Sequence, residues 1–310
     1  MCMMRSFITC VMLLSDKSSG STALQNELAK HPDVNLVERT IHNENETLYW
    51  NKAAAVLGLP QVNILNSDDL PIMQNKARRE IIEFLKANLG TFNPPSDDEH
   101  LVFEGWYRLC RRYGPVFLEK SPHHLHYWSA LQLMAECERR CSDIKFRYIG
   151  LVRNPMATLY SMWIRWQAVP EEQQYEWLRA YRNLLQFRSL IDNHLRVFKY
   201  EELVNGQTPI KCLCAFAGIQ WMPGMGSGLR TSSVQKWRSD KMFGFTPLGD
   251  VIRFAHKLGY SDAELSSHKR IGWPIYREVT RVAYRSAGLL RPVKQTIKTA
   301  LHYPSKYRSK

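Results

Sequence analysis

Residues 7 to 26 read Phe7-Ile-Thr-Cys-Val-Met-Leu-Leu-Ser15-Asp-Lys-Ser-Ser-Gly20-Ser-Thr-Ala-Leu-Gln-Asn26. An apolar run closes at Leu14, a hydroxyl-rich turn follows around Gly20, and helix-forming sequence begins directly after it. That order predicts a strand, a loop and a helix N-terminus. The unpaired N–H groups and positive dipole end of such a helix favour a phosphate. Ser18, Ser19, Ser21 and Thr22 add hydroxyl donors, and Lys17 adds a charge. The loop is not a Walker A motif, because it lacks Gly-x-x-x-x-Gly-Lys-Ser/Thr and no Lys follows Gly20. A Ser/Gly turn of this kind is also a common structural connection, so a second constellation has to decide.

That constellation lies at Lys145-Phe-Arg-Tyr-Ile-Gly-Leu-Val-Arg153-Asn-Pro-Met-Ala-Thr-Leu-Tyr-Ser161. Phe146 to Val152 reads as a buried strand, Asn154 as an N-cap and Pro155 as the first helical residue. Arg153 then stands at the carboxyl end of a strand, where open α/β sheets bind ligands. Ser161 follows eight residues later, about two helical turns at 3.6 residues per turn. An Arg fork and a hydroxyl suit a second phosphate.

Together the two segments resemble the sulfotransferases that use 3′-phosphoadenosine 5′-phosphosulfate (PAPS). In that family a strand-loop-helix of the type Lys/Arg-Ser-Gly-Ser/Thr-Ser/Thr binds the 5′-phosphosulfate. A later strand ending in Arg, with a Ser eight residues on, binds the 3′-phosphate. Ser19-Gly20-Ser21-Thr22 matches the first motif, and Arg153 with Ser161 matches the second. Further pieces follow in the family's order. They are His31-Pro-Asp-Val34, Glu119-Lys-Ser-Pro122, Lys199-Tyr-Glu-Glu-Leu203, Phe216-Ala-Gly-Ile219 and Lys236-Trp-Arg238. The His-Pro-Asp-Val and Glu-Lys-Ser-Pro segments resemble the carbohydrate-type branch, and a bacterial enzyme is expected.

The resemblance implies residue roles. Lys17 to Thr22 would hold the phosphosulfate, and Arg153 and Ser161 the 3′-phosphate. Lys236, Trp237 and Arg238 would close over that end, with Tyr200 at the adenine. One departure stands out: the family's Lys or Arg before Ser-Gly is here Ser18, with Lys17 one residue earlier. The catalytic cation is therefore Lys17 or Lys120. The general base of the family, a Glu in a Glu-x-His/Gln segment, falls at Thr40-Ile41-His42, flanked by Glu38 and Glu44. The family's other base position points to His123, with His124 and His126 beyond. His42 is expected first, then His123.

Composition agrees with a single α/β enzyme unit over residues 1–310. Probable strands near 7–14, 34–38, 115–119, 145–152 and 194–199 alternate with helical patterns near 74–89, 124–140, 155–166, 172–191 and 209–217. The expected fold is a three-layer sandwich around a central, mostly parallel five-stranded sheet with a P-loop-like phosphosulfate loop. Residues 41–114 read as an acceptor-side insertion, 221–270 as a lid and 291–310 as a basic tail. The net charge of +13, from 42 basic and 29 acidic side chains, suits an anionic cofactor and an anionic acceptor.

No nucleic-acid-binding motif occurs, and no metal-ligand spacing is evident. Seven cysteines, an odd number, argue against a disulfide framework. No run of 18 apolar residues exists. Met1 to Leu14 reads as core strand rather than signal peptide, which leads to the expectation of a cytoplasmic enzyme with peripheral membrane contact at most through the tail. The acceptor could be a glycan, lipid or other small molecule bearing a hydroxyl or amine. Two rivals remain: a P-loop-type kinase, and a non-catalytic anion- or membrane-surface-binding protein.

Overall fold

The computed structural model describes residues 8–266 and 271–284. Met1–Phe7 and the basic tail lie outside the described residues, so the expectation attached to the tail is not addressed by it.

Strand β1 (Ile8–Ser15) is the central strand of a five-stranded, all-parallel sheet. On one side it pairs with β3 (Val116–Lys120), which carries the short β2 (Val34–Asn35) at the sheet edge. On the other it pairs with β4 (Ile144–Val152), followed by β5 (Leu195–Lys199). The strand expected over 34–38 is therefore reduced to two residues. Side chains of β1 alternate between the two faces: Cys10, Met12 and Leu14 join one apolar cluster, and Val11 and Leu13 join the other. Burial on both faces is why the strand reads as one continuous hydrophobic run.

Helix α1 (Ser21–Leu28) covers the second face through Leu24 and Leu28. The insertion between β2 and β3 packs on the first face as α2 (Tyr49–Val56), α3 (Gln74–Leu89) and α4 (Asp98–Arg112). Helix α3 closes at Gly90, whose φ of 71° and ψ of −95° form a positive-φ conformation that glycine tolerates. Helices α2 and α4 were not evident in the sequence. All eight residues of α2 are buried, Asn51 and Lys52 among them, so it has no polar face to reveal a helical period. Helix α4 does carry a start signal, an Asp97 N-cap that accepts the His100 N–H, followed by Asp98 and Glu99.

After β3 the pattern read as one helix over 124–140 is broken at Tyr127, giving a 3-10 turn at Pro122–His126 and then α5 (Trp128–Arg140). Helix α6 (Pro155–Trp166) starts at the Asn154 cap, whose carboxamide oxygen accepts from Met156 N–H at 2.8 Å. Helix α7 (Pro170–Phe187) returns over the first face. Helices α8 (Tyr200–Asn205) and α9 (Gln207–Ala217) return over the second. The expected lid region contains the short α10 (Lys236–Ser239), α11 (Gly249–Lys257) and α12 (Asp262–Leu265).

Trp106 anchors the first-face core, its ring 4.9 Å from Tyr49, 5.0 Å from Trp50 and 5.4 Å from Phe117. Trp106→Ala is expected to lower stability by about 3–5 kcal/mol in urea denaturation, because close-packed aromatic neighbours cannot collapse into the space.

The chain leaves β1 toward β2 and β3, then crosses back over it to β4. A crevice therefore opens at the carboxyl ends of these strands. Register puts Leu13 beside Lys120, Ser15 beside Leu151 and Val152 beside Lys199. Lys17, Lys120, Arg153 and Tyr200 consequently all emerge at one rim.

Candidate active site

The loop after β1 is shaped by its own buried polar groups. The Asp16 carboxylate accepts the Lys17 N–H at 2.7 Å, and the Ser19 hydroxyl donates to the Asp16 carbonyl at 2.6 Å. Ser18 and Gly20 both take positive φ, 58° and 93°, which bends the backbone back toward the helix start. The side of Gly20 is closed by Tyr200: a Cβ there would lie 2.3 Å from the ring. The Arg153 guanidinium sits 4.9 Å from the centre of that same ring. It donates to the Ser18 carbonyl at 2.8 Å and to the Ser233 carbonyl at 2.7 Å. The 5′-side loop and the expected 3′-side arginine are thus joined directly.

A cavity of about 860 Å³ opens over this loop. It is lined by Lys17, Ser18, Gly20, Ser21 and Thr22, and by Arg153 and Ser161. His42, Glu44, Glu46 and His123 form another wall. That wall is positioned from β3. Glu119 accepts from the hydroxyls of Thr47 at 2.7 Å and Ser121 at 2.5 Å, while the Ser121 oxygen accepts the N–H groups of Thr47 and Leu48. The Glu-Lys-Ser-Pro segment therefore holds 44–48 against the phosphate loop. Lys120, fully buried, donates to Thr22 Oγ1 at 3.2 Å, the Glu44 carbonyl at 3.1 Å and the Glu46 carboxylate at 2.9 Å.

Burial raises the pKa of Glu46, an effect that Lys120 only partly offsets. His123 is pushed well below the usual histidine value by burial and then by the Lys17 charge. His42 is also lowered, by burial and by Lys52, whose ammonium lies 3.1 Å from its Nε2. Glu44 behaves oppositely to Glu46. Burial would raise it, but Arg165 and Thr22 hydrogen bonds at 2.5 and 2.8 Å outweigh that and hold it low.

The sulfotransferase family profile matches residues 11–223, which spans β1 through α9. The chain belongs to the sulfotransferase family. No curated protein matches its sequence. Among solved structures it is similar to the sulfotransferase domain from the curacin biosynthetic pathway, with a TM-score of 0.55 and 17% identity. The match covers 82% of this chain and 98% of that one, and at this identity it speaks for the shared fold.

Within this sulfotransferase, not every expected site residue reaches the cavity. Lys17 lines it, its ammonium donating to the carbonyls of Leu65 and Asn66 at 3.3 and 3.2 Å. Glu38 lies elsewhere, exposed and 3.5 Å from Arg112. Tyr200 is buried behind the loop rather than lining the cavity, and its hydroxyl lies 3.3 Å from Ser233 Oγ. Trp237 is buried in a third apolar cluster with Trp163, Phe243 and Trp273. Lys236 lines a second cavity of about 700 Å³ with Tyr160, Thr231 and Ser232. Arg238 bonds the Ala263 carbonyl. Glu46 was not among the expected candidates, and no local pattern distinguishes it from its neighbours.

Beneath the loop, His126 bridges two carboxylates, Asp16 at 3.1 Å from Nε2 and Glu176 at 3.1 Å from Nδ1. Burial would lower its pKa, but these two partners more than reverse that and the net shift is upward. A raised folded-state pKa contributes stability that is complete below about 6.5, the unfolded value, and is lost as pH rises through the folded pKa. His126→Gln is expected to cost about 3 kcal/mol at pH 6, since two buried carboxylates lose their cation. The cost is expected to shrink at pH 9, as read by denaturant unfolding at both pH values.

Proposed function

We propose that the chain is a PAPS-dependent sulfotransferase that moves a sulfuryl group to an acceptor hydroxyl, with Glu46 as general base. The observation that carries this reading is one cavity lined by the 17–22 loop, by Arg153 and Ser161, and by the partly buried carboxylate of Glu46. The lining suits a nucleotide carrying two separated phosphates. Ser18 Oγ and Arg153 Nε are buried without a partner among the described residues, and buried polar atoms of this kind call for a ligand. The loop's helix N-terminus and hydroxyls would hold the 5′ end. Arg153 and Ser161 would hold the 3′-phosphate.

When bound, PAPS supplies the sulfuryl group, and the electron pair of the broken sulfur–oxygen bond stays on the 5′-phosphate. Lys120 and Lys17 flank the loop and neutralise charge developing on the departing phosphate oxygen. Glu46 takes the acceptor proton. A base works best with a pKa near the operating pH. Burial moves Glu46 toward neutrality, whereas His42 and His123 are moved away from it. Those two histidines then orient the acceptor, and residues 41–69 supply much of its wall.

Thermal-shift titration with the product nucleotide 3′-phosphoadenosine 5′-phosphate (PAP), beside ATP and AMP, tests the donor. Ligand at 100 times Kd adds about 2.7 kcal/mol to the native state, a clear upward shift in Tm. Selective stabilisation by PAP, lost in Arg153→Ala, is the expected result. A larger shift with ATP, or none with PAP, would sink the donor assignment and favour a kinase-like chemistry.

A further inference from the structure

We infer that the acceptor is a neutral or amine-bearing polyhydroxyl glycoside, bound by the 65–69 loop and the 166–173 segment, and that polyanionic glycans and simple phenols are disfavoured. The inference rests on the sulfotransferase reading of the cavity. It comes from what the lining holds once the residues assigned to the donor are set aside.

The 65–69 loop is held to the rest of the site from two directions. Lys17 binds the carbonyls of Leu65 and Asn66, and Arg179 of α7 binds the Asn63 carbonyl at 3.2 Å. Beyond α6, Gln173 on α7 also lines the cavity. Two polar groups in this wall have no partner among the described residues: Ser67 Oγ and Gln173 Nε2. Gln173 is only 2% exposed. A buried amide donor left unpaired is destabilising, a penalty that a ligand oxygen would remove. A hydroxyl-rich ligand is suited to both groups, because each sugar hydroxyl donates and accepts.

Three further features narrow the class. Trp166 at the end of α6 is 36% exposed at the cavity wall, an aromatic surface with one flank against Arg165 at 4.8 Å. A partly exposed indole offers flat apolar area for the C–H face of a sugar ring. Asp68 and Asp69 add two exposed carboxylates in a protein whose net charge is +13. Asp68 has no partner among the described residues, and Asp69 faces a His42 whose pKa is lowered. Arg165, a second cation lining the cavity, is already matched by Glu44. Lys17 stands on this wall, bonded to the Leu65 and Asn66 carbonyls, but it is one cation against the two carboxylates of Asp68 and Asp69, so the remaining local field is negative. That field repels sulfated or carboxylated chains and accepts amines. The overall basic charge therefore misleads about the acceptor.

Ligand-observed saturation-transfer NMR on the full chain, without any nucleotide, separates this inference from the donor assignment. The ligands are lactose, N,N′-diacetylchitobiose, glucosamine, a sulfated heparin disaccharide and 4-nitrophenol. The neutral sugars or the amine sugar are expected to bind, and Trp166→Ala to weaken that binding at least tenfold. Asp68→Lys, an exposed change that spares the core, is expected to weaken glucosamine and to strengthen the heparin disaccharide. Preferred binding of the heparin disaccharide or of 4-nitrophenol would overturn the inference. So would an absence of sugar binding, or indifference to both substitutions. Sugar binding without PAP binding would leave this inference standing and remove the donor. PAP binding without sugar binding would do the reverse.

Discussion

Gly20→Ala is expected to weaken PAP binding by roughly 100-fold or more, with the far-UV circular dichroism unchanged. Two independent penalties act at this position. Its φ of 93° is a backbone region that costs a side-chain-bearing residue about 1–3 kcal/mol. The new methyl would also meet Tyr200 carbons at 2.3 and 2.6 Å, and overpacking of this sort adds about 1–3 kcal/mol. The ring cannot simply step aside, since Arg153 packs on it and Ser233 lies at its hydroxyl. The loop would have to move, and its N–H groups with it. A factor of 100 in Kd corresponds to about 2.7 kcal/mol, within the range of those penalties. Isothermal titration calorimetry measures it. A Kd within threefold of the parent would show that the 17–22 loop is not where the nucleotide sits.

Glu46→Gln is expected to lower kcat by roughly 10²- to 10⁴-fold, the usual contribution of a general base, while PAP affinity changes little. The amide keeps an acceptor for Lys120 at its present 2.9 Å, so the fold around the buried ammonium is retained. The pH dependence separates this role from a structural one. A base acts deprotonated, so the parent's kcat/KM is expected to fall as pH drops through the raised pKa of Glu46. The Gln variant is expected to lose that acid limb. Full activity in Glu46→Gln, together with a large loss in His123→Asn, would move the base to His123.

Much of this architecture is legible in local sequence because its causes are local. β1 alternates between two buried faces yet reads as one apolar run, Asn154-Pro155 starts a helix by capping, and Gly20 marks the turn. Arg153, just past the end of β4, and Ser161, in the second turn of α6, both line the cavity because the strand runs directly into the helix. The residues that escaped are positioned by distant partners. Glu46 faces the cavity because Ser121, more than seventy positions away, grips the backbone at Thr47 and Leu48. The turn there runs through left-handed conformations at Glu44, Asn45 and Leu48, none of them a glycine. No propensity scale anticipates that. Tyr200 matches the family's adenine position in chain order, and the packing that sets its ring against Gly20 comes from a different part of the sheet.

That aromatic ring has a metrical consequence. Tyr200 is wedged between the turn at Gly20 and the guanidinium of Arg153, so under the proposed donor assignment its breadth, together with the Arg153–Ser18 hydrogen bond, would set the interval between the two phosphates. A spacer of this kind would discriminate among nucleotides by the separation of their phosphates rather than by their number or total charge. A 3′,5′-bisphosphate has one phosphate for each end. ATP carries three in a row and would satisfy only one end of the gauge.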